Sequence, residues 1–336
     1  MEAAGATLVK HYRDLAFMGF VEVVANLRTI LRNLDFCKQD IRKFQPDLLI
    51  YIDYPGFNLR VADWAKREGF HNVYYISPQV WAWKENRVKT IKASVDRMLV
   101  ILPFELDFYR KWNYPVSYVG HPLAEVIEKY KEDNASLQRN PKLIALLPGS
   151  RKQEILKKLP VMLSVTPSFP DYEFVVAKAP GVSDDFYAPL LAKFPNVRTT
   201  SNATYALLMQ AEAALVTSGT ATLETALFGV PEVVCYKGNK ISYLIAKRLI
   251  KVKYISLVNL IMDRLVVKEL IQDDMNTQNL VQELKNLLHN QEYRNRITGD
   301  YDQLRRLLQQ GGNASAKAAE EIVDYATSLI SKTTTP

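Results

Sequence analysis

Along most of this chain, short apolar runs alternate with stretches of helical period, and tight polar turns separate the two. The pattern is clearest in the second half. Lys142 to Leu147 reads as a buried strand, Pro148-Gly149 turns the chain sharply, and a helix follows. A strand over 172–178, a helix over 184–194, a strand over 197–200 and a helix over 204–212 come next. Ala213 to Val216 is again a continuous apolar run. Thr217-Ser-Gly-Thr220 makes a polar turn, a helix runs from Ala221 to Phe228 and stops at Gly229, and Val233 to Tyr236 is the next strand. Strand, turn, helix, strand in this order predicts a doubly wound α/β domain.

The first half carries the same alternation. Strands are predicted at 46–53, 73–78, 97–103 and 116–122, with helices over 59–67 and 87–92 between them. Lys129 to Pro141 is polar without an apolar period and reads as a linker. The boundaries that follow are 1–135 for a first domain, 136–312 for a second, and 313–336 for a terminal helix returning to the first. Residues 17–34 form an apolar arc, with Phe17, Met18, Phe20, Val21, Val24, Leu27 and Leu31 on it and Arg13, Arg28 and Arg32 at its borders. The arc is wider than one core-facing stripe needs. Either it is a buried core helix, or it lies on an anionic membrane surface.

Three places carry candidate chemistry. The helix after Thr217-Ser-Gly-Thr220 presents free N–H groups and the positive end of its dipole, which suits a phosphate. Glu224, about one turn in, is suited to accept both hydroxyls of a ribose; a capped helix with one exposed Glu is the alternative. At the earlier turn, Arg151 sits where a guanidinium clamps a diphosphate. Both turns fall at the carboxyl edge of a parallel sheet, where such sheets bind nucleotides. Neither matches G-x-G-x-x-G or G-x-x-x-x-G-K-[ST], which speaks against NAD and ATP. Asp53 ends a strand at the same kind of edge, as a general base or as a cap of the following turn. His121 ends another, to position substrate or simply to pack.

Composition narrows the class. Lysine and arginine number 43 against 36 acidic residues, a net charge of +7 that suits an anionic partner. The charge is spread out, without a basic tail or RNA-binding signature, so nucleic acid is not expected. Between Glu232 and Asp263 all the charged residues are basic: Lys237, Lys240, Lys247, Arg248, Lys251 and Lys253. Two cysteines and four scattered histidines have no metal-ligand spacing, so no metal and no cofactor is expected. No signal peptide or spanning apolar run is visible, and a cytoplasmic protein is expected.

Taken in order, Ile52-Asp-Tyr-Pro-Gly-Phe-Asn58, Ser77-Pro-Gln-Val-Trp-Ala-Trp83, Gly120-His-Pro122, Leu147-Pro-Gly-Ser-Arg151, Ser218-Gly-Thr-Ala-Thr-Leu-Glu224 and Ser256-Leu-Val-Asn259 resemble the lipid-A-disaccharide synthases, bacterial glycosyltransferases of the two-domain GT-B type. The resemblance spans nearly the whole chain. It implies two Rossmann-like domains and inverting transfer from UDP-2,3-diacylglucosamine to 2,3-diacylglucosamine 1-phosphate (lipid X), without a metal. By analogy Ser218, Gly219 and Thr220 meet the phosphates, Gly149, Ser150 and Arg151 close on the diphosphate, Glu224 takes the ribose and Asn259 lies on the nucleotide side. Asp53 is then the base that activates the acceptor hydroxyl. The apolar arc docks the acyl chains or the cytoplasmic face of the inner membrane, peripherally. A homodimer is one arrangement left open.

The family opens with a strand and a Gly-Glu-Ala-Ser-Gly-Asp loop followed by a helix, whereas this chain opens with Met1-Glu-Ala-Ala-Gly-Ala, without that strand and loop, about where the family's second strand has just ended. The expectation is an N-terminally truncated first domain, short by roughly forty residues, the size of a strand–helix–strand unit. Two other readings share the pattern: a UDP-sugar epimerase on the same fold, and a degenerate UDP-sugar binder without turnover.

Overall fold

A computed structural model describes residues 2–11, 27–239, 243, 248 and 252–333. The first half comprises α1 (Leu27–Phe44), β1 (Leu49–Ile52), α2 (Pro55–Arg67), β2 (Asn72–Tyr75), α3 (Val88–Ser94), β3 (Arg97–Val100), α4 (Glu105–Arg110) and β4 (Ser117–Tyr118). Among the described residues these strands form a parallel sheet in the order β1-β2-β3-β4. A helix or a long connection between successive strands is what parallel pairing requires. Tyr51, Ala62, Trp64, Val88, Ile91 and Met98 fill the core between sheet and helices. Helix α2 starts at Pro55, earlier than the apolar period suggests, because proline at the first turn gives up no hydrogen bond and has a helical φ already set.

Helix α5 (Pro122–Asp133) leads into the second half. There follow β5 (Leu143–Leu147), α6 (Lys152–Leu163), β6 (Glu173–Lys178), α7 (Asp184–Leu191), β7 (Arg198–Ser201), α8 (Thr204–Gln210), β8 (Ala213–Thr217), α9 (Thr220–Leu227) and β9 (Glu232–Tyr236). After these come α10 (Leu257–Met262), β10 (Lys268–Ile271), α11 (Thr277–His289), α12 (Gln291–Gln309) and α13 (Ala314–Thr333). The second sheet runs β10-β9-β8-β5-β6-β7, all parallel. Strands β5 and β8 are buried along their whole length, as uninterrupted apolar runs at a sheet centre should be. At the edge, β7 (Arg-Thr-Thr-Ser) is largely exposed. Segment 256–261 is helical rather than merely apolar, because the Ser256 hydroxyl accepts from Asn259 N–H and caps α10. Strand β10 carries the pattern Lys-Glu-Leu-Ile, too short and polar to read from the sequence.

Helix α13 lies against the first sheet: Ala318, Ile322 and Tyr325 pack with Val73, Leu99 and Val119. Two connections therefore run between the halves, and they touch at glycines. A Cβ on Gly311 would overlap the backbone of Gly120 and Val119. Around this contact Lys317 Nζ donates to Tyr118 O (2.9 Å), and Tyr118 Oη donates to Leu307 O and Leu308 O (3.3 Å each).

Of the apolar arc, Phe17, Met18, Phe20, Val21 and Val24 lie outside the described residues, and so does the side chain of Leu27. On α1, Leu34 enters the core while Leu31 and Phe44 are exposed, at 48% and 78%. No helix among the described residues is long and apolar enough to cross a membrane.

Candidate active site

The order of the second sheet has a physical consequence. From β5 the chain winds outward through β6 to β7, then returns to β8 on the other side of β5 and winds outward through β9 to β10. The carboxyl ends of β5 and β8 flank the point where the winding reverses, the usual ligand crevice of such sheets. Both glycine turns open there, into a cavity of about 530 Å³ lined by Gly149, Ser150, Arg151, Ser218, Gly219, Thr220 and Glu224. Gly149 has φ +116°, and a Cβ on it would lie 2.5 Å from Glu154 Oε2. Gly219 has φ +149° and is the N-cap of α9 with no side-chain cap, which leaves the first amides of that helix facing the cavity. Thr222 Oγ1 donates back to Gly219 O (2.8 Å), holding the turn.

Glu224 is largely buried on the wall of the cavity and accepts from Tyr205 Oη at 2.8 Å. Burial raises its pKa above the ordinary carboxylate value, and the tyrosine hydrogen bond opposes that rise. Arg151 is an exposed residue at the mouth, with Nη1 3.7 Å from Glu154 Oε1. The Ser218 hydroxyl donates to Ile255 O (2.8 Å), tying the turn before α9 to the segment before α10.

Asn259 has a position other than a cleft wall. It is fully buried and its amide is saturated: Nδ2 donates to Val267 O and Glu269 Oε1 (2.9 Å each), and Oδ1 accepts from Val266 N (2.8 Å) and Val267 N (3.0 Å). No donor or acceptor remains for a ligand. Asn259 braces the segment before α10 through Glu269, which also accepts from Ile255 N and Ser256 N. The sequence motif singled it out for the nucleotide side; the packing instead commits its amide to Val266, Val267 and Glu269.

A second cleft, about 500 Å³, lies between the halves. Asp53, Gln79, Trp83, Arg87, Glu105 and His121 line it from the first half; Thr220 and Leu257 line it from the second. Thr220 borders both cavities, so they meet there. Asp53 and Tyr54 have φ of +46° and +48°, unusual for non-glycine residues in succession. The bend is held by hydrogen bonds to the Asp53 carbonyl from Tyr74 Oη (2.6 Å) and Asn58 Nδ2 (2.8 Å). Strain of this kind persists only where surrounding structure over-determines it, and it holds Asp53 in the lining of the cleft.

His121 is the N-cap of α5, its Nδ1 accepting from Leu123 N (3.2 Å). Burial lowers its pKa to about 4, so at neutral pH the imidazole is uncharged with its proton on Nε2. Glu105, which sequence reasoning passed over, is almost fully buried at the start of α4 and accepts from Leu102 N (3.0 Å). Burial raises its pKa to about 7. Its only sequence signal was a carboxylate just after a strand-ending proline.

Two parallel sheets with a cleft between them, and a crevice at the winding reversal of the second, define the two-domain α/β architecture of the GT-B type. Solved structures share the architecture. A UDP-GlcNAc 2-epimerase from Neisseria meningitidis bound to UDP-GlcNAc superposes with TM-score 0.60 at 15% identity, covering 92% of this chain and 83% of that one. The glycotransferase of kitacinnamycin gives 0.59 at 16%, covering 96% and 87%. At such identities the likeness concerns the fold alone. The family is decided by sequence: residues 1–323 match the lipid-A-disaccharide synthetase model, and the chain belongs to that family. A relative named lipid-A-disaccharide synthase from Syntrophus aciditrophicus is 40% identical over 343 residues, which cover 99% of this chain and 88% of the relative. The chain is thus a glycosyltransferase of lipid A biosynthesis, not one of the epimerases that share its fold.

Proposed function

We propose that the chain transfers 2,3-diacylglucosamine from its UDP derivative to the primary hydroxyl of 2,3-diacylglucosamine 1-phosphate. The observation that carries this is the meeting of the two cavities at Thr220, with Asp53 on the opposite wall. UDP lies in the β5–β8 crevice, its ribose hydroxyls on Glu224 and its diphosphate between Ser150, Arg151 and the amides of α9. The donor sugar then reaches past Thr220 into the interdomain cleft. Asp53 takes the proton from the acceptor hydroxyl as that oxygen bonds to the anomeric carbon. The bond from that carbon to the diphosphate oxygen breaks on the opposite face, so the product is β-linked and UDP leaves. Arg151 and the helix amides take up the charge that develops on the leaving diphosphate. His121, neutral and donating through Nε2–H, orients a sugar hydroxyl. Exposed Leu31 and Phe44 on α1, together with the arc before it, meet acyl chains at the cytoplasmic face of the inner membrane.

Mass spectrometry of the full chain with UDP-diacylglucosamine and lipid X tests this. The expected product is the tetraacyl disaccharide 1-phosphate, with UDP released only when lipid X is present. Asp53→Ala should keep UDP affinity and lose transfer by a factor of about 10²–10⁴, the usual contribution of a general base. UDP bound without disaccharide in the unmutated chain would overturn the proposal in favour of a binder without turnover. Unchanged turnover in the variant would remove Asp53 from the chemistry.

A further inference from the structure

The interdomain cleft holds a cation outside the β5–β8 crevice. Arg87 lines it, half-buried, and lies outside the crevice lined by Arg151 and the start of α9. Among the described residues no carboxylate pairs with Arg87. Neighbouring Glu85 instead accepts from Trp112 Nε1 (3.2 Å). The guanidinium is held over the ring of Trp83 at 5.7 Å from its centroid, and Lys84 Nζ lies 4.4 Å from the same centroid. Lys84 has φ +56°, so the loop bends sharply just beside the tryptophan. Trp83 itself is 46% exposed, unusual for the largest side chain unless its face has a use.

We infer that Arg87, oriented by Trp83, is the subsite for the phosphomonoester of the acceptor sugar. The charges facing the cleft leave little else for it to do. Asp53 is engaged with a hydroxyl proton in the reaction, Glu105 is turned inward to the Leu102 amide, and His121 is uncharged. A guanidinium taken partly out of water with no counter-ion is costly in the free enzyme, and that cost is relieved by an anionic ligand with two oxygens to offer. A ligand that reaches from Asp53 to Arg87 therefore carries a hydroxyl at one end and an anion at the other. A hexosamine phosphorylated at C1 with a free primary hydroxyl is such a molecule. The exposed indole face is suited to the apolar face of the sugar ring. This inference rests on the acceptor reading proposed above.

The test needs no turnover and no lipid. The full chain, saturated with UDP, is titrated calorimetrically with glucosamine 1-phosphate and, separately, with glucosamine. One charge-assisted contact corresponds to a preference for the phosphorylated sugar of about tenfold or more. Arg87→Ala should bring that ratio to about one while leaving UDP affinity intact, which also shows that the variant is folded. Arg87→Lys should retain part of the preference, since the point charge stays and the two-pronged geometry is lost. A preference that survives in Arg87→Ala, or is missing in the unmutated chain, overturns the assignment. So does a loss of UDP affinity in the variant, which would mean that Arg87 serves the donor diphosphate. Because binding is read directly, failure of disaccharide synthesis and failure of this subsite are separate results.

Discussion

Replacing Gly149 by alanine tests the crevice at its narrowest point. Two costs compete. The first is backbone: φ is +116°, and an L residue held there costs about 1–3 kcal/mol. The second is steric: the new Cβ lies 2.5 Å from Glu154 Oε2 and 3.2 Å from Glu154 Cβ. The carboxylate ends a flexible chain and can swing aside by about 1 Å, giving up only its 3.7 Å contact with an exposed Arg151, worth less than about 1 kcal/mol. The backbone cost therefore dominates, and a loss near 2 kcal/mol is expected. At about 2–4 °C per kcal/mol for a domain of this size, calorimetry should show the transition of the second domain lowered by about 4–8 °C. UDP affinity, read by titration, should fall about tenfold, because Ser150 and Arg151 move with the turn. The same substitution in a Glu154→Ala background removes the carboxylate clash and leaves the backbone cost with the 3.2 Å Cβ contact. Persistence of the loss there is the expected result, and full restoration would refute the ranking of backbone over clash. A Gly149→Ala chain with unaltered melting and UDP binding would refute the crevice itself.

Glu224→Gln keeps an acceptor for Tyr205 but removes a charge from ribose recognition, so UDP should bind about ten- to a hundredfold more weakly. Burial raises the folded-state pKa of Glu224, so its ionisation opposes folding as pH rises, and the same variant should melt at a higher temperature than the parent near pH 8. His121 runs the other way: its folded pKa of about 4 lies below the ordinary 6.5, so the unfolded chain binds the extra proton between those values. That contribution to stability, about 3 kcal/mol, is present above pH 6.5 and lost as pH falls toward 4. His121→Asn, which retains an N-cap, should flatten the melting temperature over that window. Gly311→Ala drives a methyl into the backbone of Gly120, where no side chain can yield, and should cost 3 kcal/mol or more, by the order of a severe overpacking change. Chemical denaturation would measure it, and a neutral result would mean that the two connections are free to separate.

Much of the fold was legible in the chain because its signals are local. A run such as Leu143–Leu147 can be satisfied only at the centre of a sheet, and the glycine turns after it and after Thr217 announce sharp reversals with free amides behind them. Family membership was legible for the same reason: motif order survives in one dimension. Local composition could not determine which strands become neighbours. Setting β5 beside β8 unites Gly149 and Gly219, far apart in sequence, in one cavity. The same limit explains the residues that were misjudged or missed. Asn259 sits in a recognisable motif, yet its role follows from Glu269, Val266 and Val267 closing around its amide. Glu105 drew no notice in the sequence and is buried by α4, and Arg87 stood only at the start of a basic helix until Trp83 and the interdomain cleft gave it a direction. Hydrophobic period and turn chemistry act over a few residues, so the sequence alone determined the elements and their order. Burial, hydrogen-bond saturation and the field at a charged group depend on neighbours brought in from distant elements, so only the tertiary structure decided what each polar side chain has left to offer a substrate.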